Sequence, residues 1–145
     1  MKLAAVMRLY SSILLMLAAH NTVRATQSIR PLAWSDALAV RAQDWANTLL
    51  ARGEFIHHPK SPYGENLFEI DGATASPEQV VEAWAAESRD YDYPTNKCRK
   101  VCGHYTQIIW AATTKVGCGV ARNSRREVWV CNYDPPGNYI GKRPY

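Results

Sequence analysis

The four cysteines, Cys98, Cys102, Cys118 and Cys131, include no CxxC pair. A zinc ribbon or a thioredoxin-type redox site needs that spacing, so both are excluded. HExxH, a histidine pair at i and i+4, and GxSxG are equally absent, and no serine or cysteine stands beside a base as a nucleophile. No internal repeat or low-complexity tract interrupts the chain. Neither sign of charge dominates: 17 Lys plus Arg stand against 13 Asp plus Glu, a formal +4. The basic residues fall in short clusters, such as Lys97/Arg99/Lys100 and Arg122/Arg125/Arg126, rather than along one helix, which argues against a nucleic-acid partner. The strongest apolar run, Ile13 to Ala19, is far shorter than the ~20 residues a helix needs to cross a bilayer, so no transmembrane span is expected.

What is present favours one exported domain. A chain of 145 residues fits a single core, and five Trp and eight Tyr supply much area to bury. Paired cysteines without metal spacing fit an oxidising compartment. Lys2 and Arg8 precede the apolar run, and Val23 and Ala25 suit a signal cleavage site. The same stretch, "MLAAHNTVR", also reads as the first helix of the domain, which a cut after Ala25 would remove.

Two helices carry clear end signals. Ser35 caps the first, Leu38, Ala42, Trp45 and Leu49 share its apolar face, and Gly53 stops it. Ser76, Pro77 and Gln79 open the second with a capping box, and it is predicted to run to about Tyr91. Glu87 falls on its apolar stripe with Val80, Trp84 and Tyr91, where a carboxylate needs a partner. Residues 66–70 read as a short strand or helical turn. Residues 115–122 and 127–133 alternate as two strands joined by Asn123 to Arg126. Closing that hairpin at Arg122 and Glu127 puts Cys118 opposite Cys131, which selects Cys118–Cys131 and leaves Cys98–Cys102. The five tryptophans are expected in the core.

The polar residues out of place are His58 (or His57), Glu65, Glu87 and His104. Two imidazoles and two carboxylates either neutralise one another in a cleft or hold a divalent cation. Spacing alone does not decide between these.

At these residues the chain resembles the CAP superfamily (cysteine-rich secretory proteins, antigen 5, pathogenesis-related proteins), especially the type-1 pathogenesis-related proteins of plants and their bacterial relatives. "GHYTQIIWAAT" (103–113) matches the first family signature, and "VWVCNYDPPGNY" (128–139) the second apart from Trp129. "HHPKSPYGENL" and "WAAESRDYDY" resemble two further family segments. The resemblance runs from about residue 16 to Tyr145. It implies an α+β fold, an α-β-α sandwich with a small, mostly antiparallel sheet between helical layers. It also implies that His58, Glu65, Glu87 and His104 converge in one cleft, with His58 chosen over His57 and His57 left as a loop neighbour. Tyr63, Asn66, Tyr105 and Gln107 would orient them. Two family cysteines are missing, at Glu54 and Asn123, and Ser28 replaces a usual Gly. The opening helix of the family begins at about Met16, so residues 1–15 are the signal-like segment and 16–145 the single domain.

The resemblance implies a secreted, monomeric, non-catalytic module of defence type. Its cleft would hold a divalent cation, with zinc the first choice, and a nearby groove a sterol or lipid. The tail "PPGNYIGKRPY" resembles a peptide that plant members release. The competing reading is a metal-dependent hydrolase, with zinc on His58 and His104 and with Glu65 or Glu87 as general base.

Overall fold

The computed structural model describes residues 2–145. Ala, Leu and Met dominate the start of the chain, and all three are strong helix formers. Helix α1 accordingly runs unbroken over Lys2–Ala25. By length and composition it is long and apolar enough to cross a membrane, unlike the short run read from the sequence. Its burial starts late: Met16, His20 and Arg24 are buried, while Leu3, Met7, Leu9, Tyr10 and Leu14 are exposed.

After the two-residue strand β1 (Ala33–Trp34), Ser35 caps helix α2 (Asp36–Arg52) by accepting from the Leu38 amide. Gly53 ends α2 in the left-handed conformation, at φ 65°. The stretch left open between strand and turn is a strand, β2 (Gly64–Asp71). The expected capping box opens α3 (Pro77–Ala85). That helix is shorter than predicted. Residues Ala86–Asp90 tighten into a 3₁₀ turn, because the next residues, β3 (Tyr91–Asp92), must reverse and pair with β4 (Lys97–Cys98). A short helix, α4 (Gly103–Ile108), precedes the predicted hairpin, β5 (Lys115–Arg122) and β6 (Arg126–Asp134).

The main sheet has the order β1-β5-β6-β2, with β1 parallel to β5 and the other pairs antiparallel. Register follows the expectation: Arg122 faces Glu127 and Cys118 faces Cys131. Both expected disulfides form, Cys98–Cys102 and Cys118–Cys131, the latter with Cα atoms 4.1 Å apart.

Helices cover both faces of the sheet, so β6 reads as a nearly continuous apolar run. On one face, Ala42, Trp45, Ala46 and Leu49 of α2 pack on Leu67, Val128 and Val130. On the other, Met16 of α1, Val80 and Trp84 of α3, and Ile108 of α4 pack on Trp129, Cys131 and Tyr133. This is the α-β-α sandwich. Helix α2 lies so close to β5 that only glycine fits beneath it. A Cβ on Gly117 would stand 2.3 Å from the Ala39 nitrogen, and one on Gly119 2.5 Å from the Gln43 Cα. Four of the five tryptophans are buried as expected; Trp34 is half-buried.

Candidate functional site

Glu87 is not a stray charge on an apolar stripe. Helix α4 begins at Gly103 with no side-chain cap of its own, so its first amides lack partners. Glu87 supplies them from the neighbouring 3₁₀ turn. Its Oε2 accepts from the amides of His104 (3.0 Å) and Tyr105 (3.1 Å). Its Oε1 stands 2.6 Å from His104 Nδ1. One carboxylate therefore caps a helix from outside and fixes the adjacent imidazole. The His104 ring also stacks on Trp84, 6.1 Å between centroids and 11° from parallel.

Glu65 forms a second unit. Its Oε1 stands 2.6 Å from His57 Nδ1 and accepts from the His58 amide at 3.1 Å. The carboxylate hydrogen bond is the main cause that raises the His57 pKa, against the opposing pull of partial burial. The ring that meets Glu65 is that of His57, the residue expected as a loop neighbour. The His58 ring packs edge-on against Trp45 at 4.7 Å, and its Nδ1 accepts from the Lys60 amide. In the neutral ring the proton then sits on Nε2.

The two units do not merge, and strand geometry explains why. Successive side chains of a strand leave opposite faces. Glu65 shares the α2 face with Leu67, whereas Asn66 turns to the other face. It is Asn66 that reaches the α4 side, donating to the His104 carbonyl at 3.0 Å and to the Tyr133 hydroxyl at 3.2 Å. Glu87 thus pairs with His104 and Glu65 with His57, while His58 meets Glu65 only through its backbone amide. Among the described residues, no three of His, Cys, Asp and Glu are placed to share one metal ion. Two imidazoles oriented through Nδ1 are what a metal shell uses, but with the His58 lone pair already taken the arrangement does not fit a closed four-donor zinc site.

The supporting residues divide similarly. Asn66 holds the His104 backbone by donating to its carbonyl. Tyr105 contributes its amide to Glu87, while its ring packs near Tyr91. Gln107 serves the tail instead: it accepts from the Gly137 amide and donates to Thr113. Tyr63 lies beneath the Arg41 guanidinium at 5.1 Å and lines one pocket with His57, His58 and Glu65.

The sequence reading missed the groups that tie α1 to this site. His20 Nδ1 bonds the Met16 carbonyl, and its Nε2 accepts from the Tyr133 hydroxyl, both at 2.8 Å. Tyr133 in turn meets Asn66, so a buried chain runs from α1 to the His104 backbone. Burial lowers the His20 pKa to about 4. Arg24 donates to the carbonyls of Arg30, Ile108, Trp110 and Thr113, which lock the end of α4 to α1. Their spacing in α1, with Met16, was the available signal: i, i+4 and i+8 on one face.

The family model for the cysteine-rich secretory protein family, CAP, matches residues 17–133, and the chain belongs to that family. It is 45% identical over 131 residues to pathogenesis-related protein PR-1 of Medicago truncatula, covering 87% of this chain and 75% of the relative. Pathogenesis-related protein 1A of Nicotiana tabacum is likewise 45% identical, over 132 residues, covering 89% and 78%. Among solved structures, Schistosoma mansoni venom allergen-like protein 4 superposes with a TM-score of 0.71 at 27% identity, covering 90% of each chain.

Proposed function

We propose that this chain is an exported, non-catalytic recognition module of the defence type its relatives' names describe. The observation that carries this is the use made of both glutamates. Glu87 is spent on two amides and one imidazole, and one oxygen of Glu65 on an imidazole and an amide. A general base needs a carboxylate or imidazole free to take a proton from the attacking group. Here both Glu87 oxygens and Oε1 of Glu65 organise backbone and rings, and only the buried Oε2 of Glu65 is left unpaired. All four cysteines are in disulfides, which suits an oxidising, extracellular setting and removes thiol nucleophiles. The apolar start of α1 fits an export signal.

A sterol or lipid remains the apolar ligand of this reading. Its support is the pocket between α1 and the sheet, lined by Leu9, Ile13, Met16, Trp34, Val120 and Trp129. That pocket is about 60 Å³, against the ~300 Å³ or more of ligand sites, and its Leu9 and Ile13 wall belongs to the signal-like segment, so a sterol enters only where that segment is removed or swings aside. A divalent cation plays no part in the proposal.

The test is equilibrium binding of a fluorescent sterol to the intact protein, with and without chelator, beside turnover assays on peptide and ester substrates. Saturable binding that quenches tryptophan emission and ignores the chelator is expected. Substrate turnover that disappears in Glu65→Gln and Glu87→Gln would overturn the reading in favour of a hydrolase.

A further inference from the structure

We propose a second binding site, on the α2 face, for a small zwitterion carrying an ammonium group and a carboxylate or phosphate. A cavity of about 290 Å³ opens there, lined among others by Arg41, Asp44, Trp45, Arg52, His58 and Glu65. At ~30 Å³ per water it has room for a ligand of amino-acid size. Three observations define the occupant.

The first is an orphaned acceptor. The Glu65 side chain is only 6% exposed, and its Oε2 is buried with no hydrogen-bond partner, while Oε1 already holds His57 and His58. A buried carboxylate oxygen left bare is costly, so the site calls for a donor. Glu65 leaves β2 on the α2 side, towards this cavity. The second is charge of both signs without an ion-pair partner. Arg41, Asp44 and Arg52 recur along one stripe of α2, and among the described residues none of them forms an ion pair. The two guanidiniums present fixed forks suited to a carboxylate or phosphate. The third is the balance. Two guanidiniums and two carboxylates around one cavity suit a ligand that carries both signs and no net charge. A simple anion would meet Asp44 and Glu65, and a simple cation both arginines. The Trp45 ring supplies an apolar wall for the carbon skeleton between the charges.

The site shares Glu65 with the recognition reading above, whereas Glu87, His104 and the apolar pocket under α1 take no part. The experiment is an NMR titration of the intact protein, following the Trp45 indole N–H and the His58 and Glu65 amides. The probes are 4-aminobutanoate and O-phosphoethanolamine, with butanoate and butylammonium as single-charge controls. Saturable shifts are expected with one or both zwitterions, unchanged by a chelator, and at least about tenfold weaker with either control. Arg52→Ala removes an exposed side chain without touching the core, and should weaken zwitterion binding about tenfold; Glu65→Gln should do the same. Three results would overturn the proposal: no saturable shift with either zwitterion, controls that bind as well, or an Arg52→Ala protein that binds as tightly as the parent. The cavity would then hold water alone.

Discussion

Acidification should release the link between α1 and the site through one group. His20 is fully buried and held in a single tautomer, with Nδ1–H donated to the Met16 carbonyl and Nε2 accepting from Tyr133. A proton on Nε2 would face the Tyr133 hydroxyl, which already accepts from Asn66. The Arg24 charge adds to the opposition, although burial is the larger cause of the lowered pKa, about 4 against an ordinary 6.5. The folded protein therefore holds His20 neutral where the unfolded chain protonates it. Its contribution to stability is complete above about pH 6.5, falls as pH drops from there to about 4, and is flat below. At 1.36 kcal/mol per pH unit that window is worth about 3 kcal/mol, a large share of a domain's stability. Urea unfolding from pH 7.5 to 3.5, in parallel with His20→Gln, isolates the effect, because the carboxylates titrate in both proteins. The parent should lose about 3 kcal/mol more than His20→Gln across the window. Parallel profiles would show that His20 does not set the acid limit of stability.

Arg24→Met should cost about 3–5 kcal/mol in urea unfolding, since it strips the donors from four carbonyls, three of them at the end of α4 and just beyond. Gly119→Ala forces a Cβ to within 2.5 Å of the α2 backbone at Gln43 and should destabilise by about 1–3 kcal/mol, whereas Gly72→Ala, with nothing within 4 Å but φ at +71°, should cost only the strain of its backbone, about 1 kcal/mol. Replacing Cys118 and Cys131 together by alanine opens a loop with a sequence separation of 13 and should lower stability by about 3 kcal/mol, read from the denaturation midpoint. Glu87→Gln leaves one acceptor oxygen where the carboxylate offers two, so either the α4 amides or the His104 ring loses its partner; stability in urea unfolding should fall by about 1 kcal/mol while the fold persists.

Much of the architecture was legible because local rules and global packing agree. Antiparallel pairing is a linear rule, so a hairpin closed at Arg122 and Glu127 fixed the Cys118–Cys131 disulfide before any coordinates. Ser35, Gly53, Ser76 and Gln79 marked helix ends through hydrogen bonds made within a few residues. The site was legible only as a set of residues. Glu87, His104 and Asn66 were singled out and do come together. Their separation from Glu65 depends on which face of β2 each neighbour takes, and the choice between His57 and His58 depends on a loop hydrogen bond at Lys60. The end of α3 at Ala85 was missed because β3–β4 pairing, not helix propensity, decides it. Likewise α1 continues to Lys2 on propensity alone, with no packing to stop it.

The two His–Glu pairs act as independent organisers, Glu65 leaving one face of β2 and Asn66 reaching His104 from the other. Imidazole nitrogen NMR during a zinc titration tests this independence most directly. The expected result is that His104 and His57 keep Nδ1 protonated and that His58 and His104 respond, if at all, with different midpoints. A single tight equivalent of zinc that shifts His58 and His104 together, with Glu65 and Glu87 required for it, would contradict the account.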